Sequence, residues 1–284
     1  MRQTGATAAT ILITMAYLAT IASFGFSDFD PPSLLAVYKD LGCVALQYYR
    51  NEANPPKLEE VLRVGDDLCM RYDSIHGAFG SNYDPSSTDE AFRKKSIAVY
   101  RQEAETALKL GGPKIVVHPG APSADGKIVS YQVQQQRLAP LTQSLHELAE
   151  MGQELGVTYL IENLPGIYYA GTDPAALAEM IRKVNSPHLK MCFDTGHAHM
   201  TCDVVDHFKQ CVDVIDYMHV SVNNKRFDSH LIPGHGTIPW EALGHELKNF
   251  QGAAMLEVFF SLGMMQREAD AGLASTLKQF LQTD

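Results

Sequence analysis

The sequence predicts a parallel (β/α)8 barrel in one domain over residues 1–284, and three observations predict it. Short apolar runs of strand length alternate with longer segments of helical period. The alternation repeats eight times, and no Gly/Ser linker, charge block or low-complexity stretch divides the chain. The length of 284 residues suits a barrel, which runs as one unit at roughly 250 residues.

The first strand is read at ILITMAYL (Ile11–Leu18), with residues 1–10 as a flexible extension. The apolar run Ile11–Phe26 contains Thr14 and Thr20 and is shorter than a membrane span. A signal peptide is the other reading, since Arg2 precedes the run, but the small-residue cleavage pattern is weak and removing the run leaves the repeat one strand short. Asp30-Pro31-Pro32-Ser33 opens a helix over Pro32–Leu41, and Gly42 ends it. Strand two is Cys43–Tyr49, followed by a helix over Leu58–Met70. Strand three is Tyr72–Gly77, and the helix Asp89–Leu110 stops at Gly111-Gly112. Strand four is Lys114–Pro119, and the helix Val133–Leu155 stops at Gly156. Strand five is Val157–Asn163; Thr172-Asp173-Pro174 then starts the helix Pro174–Val184. Strand six is Leu189–Asp194 with a helix over Val204–Cys211, and strand seven is Val214–Val220 with a helix over Ile238–Asn249. Strand eight is Ala253–Phe259, and Leu273–Leu281 closes the chain. A doubly wound open sheet shares this alternation, but neither a G-x-G-x-x-G turn nor a G-x-x-x-x-G-K-[ST] loop is present to support its nucleotide-binding form.

Charge and cysteine content exclude several function classes. The chain has 23 basic and 33 acidic side chains, a net charge of −10, so it lacks the basic excess with which proteins neutralise nucleic-acid phosphates. No nucleic-acid partner and no membrane are expected. Cys43, Cys69, Cys192, Cys202 and Cys211 form no C-x-x-C pair, which argues against a disulfide framework or zinc ribbon and for reduced thiols in the cytoplasm. No G-x-S-x-G elbow supports serine hydrolysis.

The eleven histidines are informative by position. Active sites of barrels lie where the strands end. There the sequence sets His76, His118, Glu162, Asp194 with His197, His219 and Glu257 on strands three to eight, with Asp228 and His230 in the loop after strand seven. One such residue is commonly a satisfied core or loop group. Six consecutive strands ending in ionisable groups would be costly to bury without compensation, and a divalent cation supplies it. Imidazole with carboxylate suits Mn, Zn, Co or Fe rather than Ca or Mg. Cys192 lies two residues deeper than Asp194 on the same side of its strand.

The segments VVHPG (116–120), IENLPG (161–166), FDTGHAH (193–199), MHVSVNN (218–224), DSHLIPGHGTIPW (228–240) and MLEVF (255–259) together resemble the xylose isomerase-like TIM barrel superfamily. It includes sugar phosphate isomerases and epimerases, inositol-pathway enzymes and the endonuclease IV group. Resemblance to its ketose 3-epimerases implies one metal held by Glu162, Asp194, His219 and Glu257. It also implies Glu162 and Glu257 as acid and base for proton transfer beside a carbonyl through a metal-stabilised enediolate, and His197 as a substrate contact. Tyr168 stands where those epimerases carry a further Glu, and Lys225-Arg226 where they carry an Arg; Lys225 or Arg226 is the candidate to hold a substrate oxygen or phosphate. The expected partner is therefore a small sugar or polyol. The alternative from the same superfamily is a multi-zinc phosphoesterase or AP endonuclease-like hydrolase. Its nine ligands are matched in type by His76, His118, Glu162, Asp194, His197, His219, Asp228, His230 and Glu257.

Weaker signals have ordinary readings. His146, His188, His207 and His245 lie in helices or their flanks as surface or capping residues, whereas His199 and His235 flank the motifs. Gln47 near the end of strand two is a candidate to reach the mouth. Trp240 is expected to pack the helix it opens. Met264-Met265 and the last helix read as core and interface, the latter for a possible homo-oligomer.

Overall fold

Eight parallel strands close into a barrel in the order β1 to β8, each hydrogen-bonded to its neighbours in sequence and β1 to β8. The structure is a computed structural model describing residues 16–27, 30–248 and 250–281. The strands are β1 (Tyr17–Phe24), β2 (Ala45–Arg50), β3 (Arg71–His76), β4 (Lys114–Val117), β5 (Thr158–Glu162), β6 (Leu189–Asp194), β7 (Ile215–Val220) and β8 (Ala253–Leu256). Around them run α1 (Pro31–Asp40), α2 (Leu58–Leu68), α3 (Glu90–Leu110), α4 (Tyr131–Leu155), α5 (Pro174–Val184), α6 (Thr195–Thr201), α7 (Val204–Cys211), α8 (Trp240–Leu247), α9 (Leu262–Asp270) and α10 (Leu273–Leu281). Among the described residues no helix is long and apolar enough to cross a membrane.

Three expectations need correction. The first strand is Tyr17–Phe24, not Ile11–Leu18: Ala19–Phe24 pairs with Ala45–Arg50 and Tyr17–Thr20 with Ala253–Leu256. The C-terminal half of the apolar run carries Ala19 and Ala22, both fully buried. They let the interior side chains and the helical layer approach this strand closely. Residues 11–15 and the expected extension over residues 1–10 lie outside the described residues. Second, α6 follows β6 without a loop, started by the Asp194 carboxylate accepting from His197 N. Third, α9 precedes the terminal helix, with only Met265 of its nine residues buried, so it carries little apolar period to read.

Inward and outward side chains alternate along the strands, apart from register shifts between β2 and β3 and between β6 and β7. The barrel interior holds Ala19, Ile21, Ala45, Val116, Leu160, Cys192, Tyr217, Ala253 and Met255. A larger apolar layer between strands and helices includes Ile115, Val117, Tyr159, Ile161 and Phe193. Two residues above the interior set, the same parity delivers Glu162 from Leu160, Asp194 from Cys192, His219 from Tyr217 and Glu257 from Met255. Lower in the barrel, Asp73 accepts from Tyr17 Oη at 2.7 Å and Ser74 Oγ at 2.8 Å.

Candidate metal centre

The strand ends converge. His219 Nδ1 lies 3.1 Å from Glu162 Oε1, 3.2 Å from Glu257 Oε2 and 3.9 Å from Asp194 Oδ2. Single donor atoms of these four residues all lie within 4.8 Å of one another. Glu162 faces two ways: its Oε2 is 3.2 Å from His118 Nε2 and 3.8 Å from His76 Nε2, while its Oε1 is 3.3 Å from His197 Nδ1. Asp228 Oδ2 joins His197 Nε2 at 3.0 Å to His230 Nε2 at 3.1 Å. The three groupings of donor atoms are thus His76, Glu162 and His219; Glu162, Asp194, His219 and Glu257; and His197, Asp228 and His230.

The donors fit a cation. Glu162 Oε2, Asp194 Oδ2 and Glu257 Oε2 are buried without a hydrogen-bond partner, and each has imidazole nitrogen at ion-pair distance. Buried carboxylate oxygens left without donors are costly. Tetrahedral coordination at about 2.0–2.1 Å sets neighbouring donors about 3.3 Å apart, within the range of the separations here. All donors are nitrogen or oxygen. Cys192, its thiol pushed up to about 12 by burial, lies below Asp194 as its register requires.

Charge is unevenly held in this cluster. Burial opposes ionisation of Glu162, but His219 and His118 hold it well below the ordinary carboxylate range. Burial likewise opposes Glu257, which His219 brings down to about 2. Asp194 is pushed up to about 7, chiefly by burial. His76 drops to about 4 through burial beside His118. Burial disfavours charge on His219 and His197 too, yet Cys192 and the two Glu groups raise the first, and Asp194 and Asp228 raise the second, well above the ordinary range. His230 rises to about 9 through Asp228, against burial.

Above the cluster lies a cavity of about 200 Å³. Phe79 stands 4.8 Å from the His76 ring and 4.7 Å from the His118 ring. Phe259 stands 4.6 Å from the His230 ring, and Tyr168 5.6 Å from His118. Sequence reasoning missed Phe79, which lies in a loop with no period to aim it at the mouth. It also missed Phe259, which shares the parity of Met255 and Glu257 but lies beyond the strand, whose last residue is Leu256. Lys225 and Arg226 are exposed on the loop after β7 and do not line this cavity. Gln47 sits one layer below the mouth, donating to Ser74 Oγ at 3.3 Å. His199 contacts Thr237 Oγ1 at 2.8 Å and His235 contacts Glu268 at 3.0 Å; neither joins a donor group. Trp240 stacks on Phe280 at 5.5 Å, which is packing.

The family described as xylose isomerase-like TIM barrel matches residues 25–280. An uncharacterized protein of Methanocaldococcus jannaschii is 31% identical over 174 residues, covering 61% of this chain and 65% of that protein. A probable endonuclease 4 of Bacillus velezensis is 28% identical over 174 residues, covering 56% of each. The chain thus spans less than two thirds of the length of the curated relatives it matches. A solved D-psicose 3-epimerase with D-tagatose from Clostridium cellulolyticum H10 superposes with a TM-score of 0.72 at 17% identity, over 93% of this chain and 99% of that one, a likeness of fold.

Proposed function

The chain belongs to the xylose isomerase-like TIM barrel family, and from that premise we propose a metal-dependent isomerase or epimerase of a small sugar or polyol. It acts by proton transfer at a carbon beside a carbonyl. The observation that carries this reading is the pair Glu162 and Glu257, which reach one imidazole nitrogen from strands three apart, at 3.1 and 3.2 Å. Glu162, Asp194, His219 and Glu257 would hold the divalent ion, which is Mn, Zn, Co or Fe by donor type. Bound there, such an ion supplies Lewis acidity that polarises a carbonyl and its neighbouring hydroxyl.

The protein's own groups do the rest. Both Glu carboxylates are held ionised at neutral pH, so either can take the carbon-bound proton as base. The other returns a proton to the opposite face only after taking one from water, and the first then releases its proton to water. His197 and the aromatic wall of Phe79, Tyr168 and Phe259 bind and orient the substrate. The cavity of about 200 Å³ is smaller than the ~300–1,000 Å³ of drug-sized sites, which supports a small polyol. Five cysteines without disulfides support work in the cytoplasm. Glu257→Gln tests the acid/base role: far-UV circular dichroism should be unchanged while turnover falls at least ~100-fold. Turnover kept near the parent's rate would remove Glu257 from that role.

A second reading, hydrolysis of a phosphodiester by several metals, is favoured by one observation. His197, Asp228 and His230 form a separate donor group, and Glu162 turns its other oxygen to His76 and His118. The likeness to a probable endonuclease 4 points the same way, whereas the charge of −10 disfavours a nucleic-acid duplex as substrate. Metal content separates the two: about one ion per chain for the isomerase, three for the hydrolase.

A further inference from the structure

The turn that carries Asp194 and His197 is held by side chains from both neighbouring strands, and on the β5 side they take the place of the strand ladder. The β5–β6 pairing ends at Glu162 opposite Cys192. The next residue, Asn163, is 1% exposed. Its Nδ2 donates to Asp194 O at 2.9 Å, and its Oδ1 accepts from Asp194 N at 2.9 Å. One carboxamide therefore extends the sheet by two hydrogen bonds at the point where the backbone ladder stops. The Asn163 carbonyl also lies 2.9 Å from His197 Nδ1. A carbonyl only accepts, so Nδ1 carries a proton and Nε2 is the nitrogen turned to Asp228.

From the β7 side, Asn223 Nδ2 donates to Gly196 O at 2.8 Å and Thr195 Oγ1 donates to Ser221 O at 2.8 Å. Gly196 packs so closely that a Cβ there would come within 2.6 Å of Ser221 Oγ. Asp194, Gly196 and His197 thus sit between two side-chain clamps, and the Asp194 carboxylate itself caps α6 at His197 N.

We propose that Asn163 is a positioning residue of the metal centre. Its carboxamide acts through the Asp194 backbone, with Asn223 as its counterpart on the opposite side. The inference rests on Asp194 being a metal ligand, as the proposed function requires. The physical need is plain: a ligand set works only when its members are held within about 0.5 Å and 10–20°. Asp194 keeps its place in the ladder to β7, opposite His219, but on the β5 side the ladder has stopped and its N–H and C=O are held only by the Asn163 amide. A purely structural latch would contribute stability without changing how the protein holds a cation.

The test uses the full chain stripped with chelator, titrated with Co(II) by calorimetry, with the visible absorption of the bound ion recorded. Parent, Asn163→Ala, Asn163→Asp and Asp194→Asn are compared, together with metal-free melting temperatures. Asp194→Asn should lose the tight site. Asn163→Ala should bind Co(II) roughly 10–100-fold more weakly, the usual cost of removing an outer partner of a ligand, and with an altered absorption band. Asn163→Asp keeps an acceptor for Asp194 N–H and loses the donor to its carbonyl, so it should fall between, and it carries the test if the alanine variant does not fold. Parent affinity and spectrum in both Asn163 variants, with a lowered melting temperature alone, would overturn the positioning role. A parent that takes up no Co(II), or Asp194→Asn binding it as well as the parent does, would instead overturn the ligand reading of Asp194, and this inference with it.

Discussion

At His219 and Asp194 a cation must displace protons, because both groups are raised above their ordinary values. With Asp228 beside it, His230 is raised from 6.5 to about 9, and burial lifts Asp194 to about 7. For His230 the sign follows from the raised value. The contribution of the Asp228–His230 pair to metal-free stability is complete below about 6.5 and is lost as pH climbs through about 9. Metal uptake runs the other way: Asp194, raised to about 7, and His219, raised well above the ordinary imidazole range, must give up protons to bind. Binding at pH 7 should therefore release protons, and affinity should rise as pH climbs through about 7. Calorimetry in buffers of different ionisation heat measures that release; uptake independent of pH would contradict it. The site residues on β5 to β8 were legible because parity is strict: an inward residue two positions above another inward residue must also face the barrel. Glu162 above Leu160 and His219 above Tyr217 follow that rule. Asn163 was not legible. It follows Glu162 in IENLPG, and only the observed end of the β5–β6 ladder reveals that its amide replaces backbone pairing.

At the scale of elements, most boundaries follow from local chemistry. The Asp173 cap of α5, with Pro174 at its first position, and the left-handed Gly156 that ends α4 appear where the sequence puts them. The register of β1 does not follow, because every residue from Ile11 to Phe24 is compatible with a strand, and only pairing with both β2 and β8 selects Tyr17–Phe24. Helices α3 and α4 are joined through Arg93, whose side chain is fully buried. Its guanidinium donates to Ser144 Oγ at 2.8 Å, to Glu147 at 2.9 and 2.8 Å and to Glu90 at 2.7 and 3.0 Å. Arg93→Ala removes the packing of a long stem and these charged hydrogen bonds, while both Glu partners retain access to water. Urea unfolding should show a loss of about 2–4 kcal/mol; a change under ~0.5 kcal/mol would mean the α3–α4 seam holds without it.

On the scale of the whole molecule, one barrel architecture is compatible with two chemistries, and composition weighs between them only through charge. The closed barrel was legible because its alternation is global and redundant: one misplaced strand leaves seven others in order. The chemistry was less legible because the nine donor residues are the same in either reading, and their number of ions depends on distances. Metal analysis of protein purified without chelator should give about one ion per chain, and three would move the assignment to hydrolysis. The most direct measurement of the central claim is solvent-hydrogen exchange, followed by NMR in heavy water across a panel of ketoses, aldoses and keto-polyols, with the metal-loaded protein. Deuterium appearing at a carbon beside the carbonyl of one of them, and not with Glu257→Gln, is the result predicted. Loaded protein that exchanges hydrogen into none of them while cleaving a phosphodiester would contradict it.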